Sequence, residues 1–176
     1  MNQEQLFHLY EKLYFHELDR REKLSARLNM PLAVLVAVTG FLSYMLQNLP
    51  EHLEGWFALA FWALYISATL AAATAAWFFR NAWFGHTDKL LPTANETEGY
   101  RRQCIDLYVE YDECEELVEQ AMKLYLYDYY MRFSTENTIN NDSRAYNLYL
   151  ATASVTGAVL LAFAAFLPFF LCDYLI

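Results

Sequence analysis

The chain has 176 residues, of which 57% are hydrophobic and 18% aromatic, with only 5 Gly and 4 Pro. So little turn chemistry excludes a strand-rich fold with many reversals and leaves a mostly helical one. A net charge of −9 and a mean hydropathy of +0.10 look like those of a soluble protein, but the charges avoid three long runs, so the averages mix two environments.

Residues 1–29 contain EQLFHLYEKLYFHELDRREKLSARL, free of Gly and Pro, in which Phe7, Tyr10, Tyr14 and Leu18 recur at helical spacing. Glu17 precedes Arg21 by four residues and Asp19 precedes Lys23 by four, pairs that each support a helix by ~0.2–0.5 kcal/mol. The expectation is one amphipathic, charged cytoplasmic helix that runs on into the membrane, adjusted at Pro31 where the ring removes a backbone donor.

Residues 28–50, 55–79 and 145–172 contain no charged residue. About 20 apolar residues at 1.5 Å rise cross a hydrocarbon core, and lipid offers the backbone no partner, so each run is predicted to be a transmembrane helix. The spans are placed at 30–49, 55–79 and 146–172. A cleavable signal peptide is excluded for the first, because the stretch before it is long and acidic as well as basic. Trp56, Trp62 and Trp77 near the ends of the second suit an interfacial belt.

Residues 80–144 are predicted to form a cytoplasmic helical domain. Thr93 with Glu96 three residues on is a capping-box signature. From there to about Phe133, the positions Val118, Ala121, Met122, Tyr125, Tyr129 and Phe133 mark one apolar helical face. Asn137, Asn140 and Asn141 are expected to interrupt that helix, with Asp142 or Ser143 capping a last one that enters the third span. Within the domain, Asp106, Glu110, Asp112, Glu113, Glu115, Glu116 and Glu119 form an acidic run along a helix. It would repel phosphate and so argues against direct nucleic-acid binding; it reads as a solvated face or a docking surface for a basic partner.

All 12 Lys and Arg fall within 1–27 or 80–144, while the loop of Glu51, His52 and Glu54 and the tail after Cys172 have none. The positive-inside rule places the N-terminus and the 80–144 segment in the cytoplasm, and the 49–55 loop and C-terminus on the periplasmic side of a cell inner membrane. Arg20, Arg21, Lys23 and Arg27 before the first span, and Arg80 after the second, are assigned as membrane anchors.

Chemistry is sparse. His8 and His16 lack a third ligand at metal spacing, Cys104 and Cys114 form no CxxC pair, Cys172 stands alone, and no hydrolase, metalloprotease or phosphate-loop motif is present. Neither an enzyme nor a bound cofactor or metal is expected. Polar residues inside the spans are the better lead, since they face protein or water. Thr39, Ser43 and Gln47 fall at i, i+4 and i+8 and are the candidates to line a water-filled path in a homo-oligomer. Ser67, Ala71 and Ala75 in the second span, and Ala153 and Gly157 in the third, are the candidates for close helix packing, with hydroxyls bonding across the contacts. No span holds an Asp, Glu, Lys, Arg or His, which disfavours an ion-coupled transporter.

The stretch LYEKLYFHELDRREKLSARLNMPL leads straight into a span, and is followed by a short outer loop, a second span, a cytoplasmic helical segment and a late span. This layout resembles the small multi-span membrane effectors encoded beside antiphage systems, of the SLATT-like, retron and CRISPR-accessory kind. The resemblance implies a toxic membrane effector, silent until a partner triggers oligomerisation or opening. The third span departs from a two-span effector, and no nucleotide-sensing domain is fused, so a trigger would come from a soluble defence protein encoded nearby or from residues 80–144. The expectation is thus an all-α membrane protein with three transmembrane helices and N-terminal and inter-span cytoplasmic helices. It would act as a homo-oligomer that perturbs or permeabilises the lipid bilayer. The alternative is a non-conducting membrane anchor that recruits a soluble partner.

Overall fold

A computed structural model describes residues 1–50 and 53–175, and side chains as far as Leu171. Glu51 and His52 of the expected outer loop, and the side chain of Cys172, lie outside the described residues. Five α-helices and no strand form among the described residues: α1 (Gln3–Arg27), α2 (Asn29–Gln47), α3 (Gly55–Trp83), α4 (Ala94–Tyr108) and α5 (Cys114–Leu175). Three helical stretches, those of α1 with α2, of α3 and of α5, are long and apolar enough to cross a membrane. The chain divides into two compact units, one of Met1–Glu22 with His86–Asp142, the other of Lys23–Gly85 with Ser143 onward.

The adjustment expected at Pro31 is present, and two other boundaries differ from the sequence expectation. The first helix pauses at Leu28, one turn before Pro31. Proline has no N–H to offer the carbonyl of Arg27, so the intrahelical ladder lapses there, and the Leu32 N–H resumes it on the Leu28 carbonyl at 3.3 Å. The acidic run is not one helix: the chain turns over Val109–Glu113, with the Tyr111 N–H on the Tyr108 carbonyl at 3.0 Å, and α5 starts afresh at Cys114. Glu115 and Glu116 then occupy the first turn of α5, where their charge complements the helix dipole. Lastly, the asparagines do not interrupt anything. The last helix runs through Asn137, Asn140 and Asn141, and no cap forms at Asp142 or Ser143.

The capping box at Thr93 is formed: its Oγ1 accepts from the Glu96 N–H while the Glu96 carboxylate accepts from the Thr93 N–H at 2.8 Å. At the other end of the preceding span, Gly85 has φ of 90°, a conformation open to glycine, and it turns the chain out of α3 into the linker towards α4.

In the apolar unit, one core cluster is formed by Val38, Leu42 and Met45 on α2, Phe61, Ala68 and Ala72 on α3, and Ala158, Ala162, Ala165 and Phe169 on α5, and Ala75 of α3 is buried as well. Steps of three and four residues give the 3.5-residue repeat of left-handed helix packing. Lipid supplies no hydrophobic drive between helices, so the contact rests on van der Waals fit, and the alanines on α3 and α5 let the backbones approach closely. Phe61 closes one end of this core, stacked on Tyr65 at 5.5 Å and 6.1 Å from Phe169.

Along α5 the same rhythm runs further back. Tyr130, Ser134, Asn137, Asn141 and Arg144 are buried, followed by Ala151, Val155, Ala158, Ala162, Ala165 and Phe169. Every step is three, four or seven residues, so one repeat carries polar side chains in its first half and alanines in its second.

Candidate functional site

The polar unit is built around α1 and the first half of α5. On α1, Phe7, Tyr10 and Tyr14 share one face by helical spacing, and they meet Tyr127 and Tyr130 of α5. Ring centroids lie at 5.6 Å for Phe7 to Tyr130, 5.2 Å for Tyr10 to Tyr127 and 5.7 Å for Tyr14 to Tyr130. Edge-on and tilted pairs of this kind each contribute ~0.5–1.5 kcal/mol beyond area burial. On α4, Tyr100 stacks on Tyr125 of α5 at 4.3 Å, and Tyr125, Tyr129 and Phe133 continue as a ladder of rings. Burial among these rings, together with the Tyr129 hydroxyl, pushes the Tyr125 phenol up to about 12.

Beyond the rings the contact turns polar. The Asn141 amide donates to both the carbonyl and the carboxylate of Glu17, at 2.8 and 2.9 Å. Arg20 bridges the same carboxylate at 3.4 Å and Asp142 at 2.6 Å, and the bond to Asp142 raises its guanidinium pKa further. Asn137 accepts from the Lys89 N–H at 2.9 Å and donates to the Lys89 carbonyl at 3.0 Å, the pairing a neighbouring strand would provide. Asn140 donates to the Thr87 carbonyl at 2.9 Å, and the Tyr14 hydroxyl accepts from the Leu91 N–H at 3.1 Å. The linker of residues 86–92 has no helical ladder, so these side chains satisfy its backbone and strap it down. Arg21 pairs with Asp88 at 3.1 Å and Lys89 with Glu136 at 3.7 Å.

This arrangement fixes the position of the linker against α1 and α5. No group of three or more His, Cys, Asp or Glu suited to a metal ion occurs among the described residues. His8 bonds Glu11 at 3.3 Å, and Cys104 is buried near Tyr100.

The residues singled out from the sequence fall in several places. Thr39, Ser43 and Gln47 are exposed on α2, away from the buried Val38, Leu42 and Met45. Ala75 is fully buried and Ala71 half-buried in the α3 contact, whereas Ser67 is exposed. On α5, Ala153 is exposed and Gly157 half-buried with open space where a Cβ would stand; the alanines that make the contact are at 158, 162 and 165. The span hydroxyls bond within their own helices instead of across contacts. Thr39 donates to the Leu35 carbonyl, Ser43 to that of Thr39 and Ser67 to that of Ala63, at 2.7–2.8 Å. In lipid this is the nearest acceptor, and it leaves the helix free of polar obligations to a neighbour. Among the assigned anchors, Arg20 and Arg21 are engaged in the ion pairs above. Arg27 is exposed, and Arg80 lies over the Trp77 ring at 5.7 Å, the aromatic and basic pairing of a membrane interface. Lys23 is exposed and has a partner in the structure.

Sequence reasoning missed the strap itself: Tyr14, Glu17, Asn137, Asn140 and Asn141 as a set. The available signal was the 3–4 spacing of Ser134, Asn137, Asn141 and Arg144, which continues the spacing of Ala151, Val155 and Ala158. No family model matches the chain, and neither a curated protein nor a solved structure matches it.

Proposed function

We propose that the protein is a homo-oligomeric, multi-pass protein of a bacterial inner membrane that perturbs or permeabilises the bilayer, in the manner of an antiphage effector. In this reading the N-terminus and residues 80–144 are cytoplasmic, following the basic residues, and the C-terminus is periplasmic. The observation that carries it is the stripe of Thr39, Ser43 and Gln47. It lies on an exposed face of an otherwise apolar helix, while that helix's contacts inside the protomer use Val38, Leu42 and Met45. The hydroxyls of Thr39 and Ser43 bond within their own helix, so the amide of Gln47 is the costliest of the three to leave in lipid and the one that most calls for protein or water. Three helices enclose no path by themselves, so copies arranged with this face inward would line a weakly selective one.

Expression with a membrane-potential dye tests the reading, as does ion flux from liposomes holding the purified protein. Replacing Thr39, Ser43 and Gln47 together by Leu should abolish the leak and preserve assembly. A leak that survives the replacement, or an unchanged potential at high expression with and without neighbouring gene products, would refute it.

A second reading, a non-conducting anchor that recruits a soluble protein through its cytoplasmic helices, is favoured by one feature of the polar unit. The turn between α4 and α5 leaves large apolar side chains exposed. It predicts a stable complex without conductance.

A further inference from the structure

The turn at Val109–Glu113 presents three large apolar side chains to the outside: Leu107 is 67% exposed, Val109 68% and Tyr111 60%. Comparable exposure occurs in the same unit at Leu90 and Ile139, but at the turn three such side chains fall within five residues; on the spans lipid covers such exposure. Here it cannot, because the flanking segment is dense in charge. Residues 103–122 hold seven carboxylates and no Lys, Arg or His. The collar immediately around the apolar group consists of Asp106, Glu110, Asp112, Glu113, Glu115 and Glu116, none of which forms an ion pair among the described residues. Such a collar is incompatible with hydrocarbon and is repelled by anionic headgroups. The patch is therefore wet and apolar at once, the composition of an interface awaiting a cover.

Charge decides what covers it. A second copy would bring an equally acidic tip, and most basic residues of this unit are already committed. Arg101 and Arg102 hold Glu98 at 2.8 and 3.1 Å, Lys123 holds Glu119 at 2.6 Å and Arg132 holds Glu136 at 3.1 Å. We propose that the α4–α5 tip is a docking surface for a protein segment that is both basic and apolar, such as an amphipathic helix whose Leu-type face covers Leu107, Val109 and Tyr111 while its Lys or Arg residues meet the collar. Tyr111 is the anchor by size, the type of residue that dominates small interfaces, and the carboxylates supply steering and salt dependence. The inference goes beyond the membrane activity proposed above and is independent of whether the spans conduct.

The test uses the full chain in nanodiscs of zwitterionic lipid, with empty nanodiscs subtracted. The probes are a synthetic amphipathic peptide of Leu and Lys, a Ser and Lys peptide of equal charge, and phosphatidylglycerol vesicles. The expected result is saturable binding of the Leu–Lys peptide, weakened by added salt. Leu107→Ser, Val109→Ser and Tyr111→Ser together should weaken it at least tenfold with helix content unchanged. Glu110→Gln with Asp112→Asn and Glu113→Gln should also weaken it and flatten the salt dependence. Equal binding of the Ser–Lys peptide, or undiminished binding by the triple Ser variant, would overturn the proposal, because carboxylates alone would then suffice. Binding of the tip to the vesicles, lost in the triple Ser variant, would overturn it in favour of lipid.

Discussion

Removing the Asn137 amide is the sharpest perturbation of the polar unit. In Asn137→Ala, the Lys89 N–H and carbonyl lose partners at 2.9 and 3.0 Å. Asn137 itself is only 1% exposed, so its replacement also leaves a small void beside the linker. Each lost bond costs ~1 kcal/mol where water can reach the freed group and up to ~3 where it cannot. Lys89 is half-buried, which sets the sum at about 2–3 kcal/mol. A local opening equilibrium should therefore shift by about 30- to 150-fold. Backbone hydrogen exchange of residues 86–92 reads this directly in the membrane-embedded protein. The Lys89 amide should exchange at least 30-fold faster, while amides in the apolar stretch of α5 keep their rates. Asn140→Ala is the internal control, since it removes one more exposed bond, to Thr87, and should cost ~0.5–1 kcal/mol. If the Lys89 amide exchanges rapidly in the unsubstituted protein, or if the two variants behave alike, the strap is not what holds the linker.

Further outcomes follow from the packing and the charges. Ala162→Leu inserts bulk where the side chain is 1% exposed in the α2, α3 and α5 core, and should cost ~1–3 kcal/mol, seen as a lower melting temperature in detergent. Gly157→Ala meets no atom within 4 Å and should leave the protein unchanged or raise its stability by ~0.5–1 kcal/mol in the same assay. Acid should loosen α4. Arg101 and Arg102 hold the Glu98 carboxyl down at about 2, and the backbone and hydroxyl of Thr93 lower that of Glu96. Both folded values lie below the ordinary carboxylate range, so this support is present at neutral pH and is lost as pH falls from that range towards about 2. Glu98→Gln with Glu96→Gln should remove the acid-dependent part of the loss of helicity; an unchanged acid profile would refute the assignment.

Much of the fold is legible in the sequence because lipid is an exacting solvent. Uncharged runs of sufficient length leave the backbone one solution, and three such helices form. The capping box at Thr93 is equally legible, being a local exchange of bonds over three residues. What escaped reading depended on partners distant in sequence. Asn in a helix normally competes for its own backbone, which is why Asn137, Asn140 and Asn141 look like a break. Here their amides are occupied by Lys89, Thr87 and Glu17, 48, 53 and 124 residues away, so the competition is removed and the helix continues. Arg20 and Arg21 likewise have partners distant in sequence. Their place before a span suggests headgroups, yet Asp142 and Asp88 come within 2.6 and 3.1 Å. The turn inside the acidic run lacks Gly and Pro, the residues that would mark a break in the sequence.

The single repeat of buried positions along α5 limits how this protein can change length. One inserted residue between Arg144 and Ala151 would rotate every later position by about 100°, turning Ala158, Ala162 and Ala165 off their seam and bringing Gly157, Leu161 and Ala164 into their places, a different shape in a closely packed contact. Seven inserted residues would complete two turns and restore the seam with a drift of only about 20°. Natural variation in this helix should therefore come as whole heptads or not at all, and a library of one- to eight-residue insertions at that point should yield folded protein in a pulse at seven.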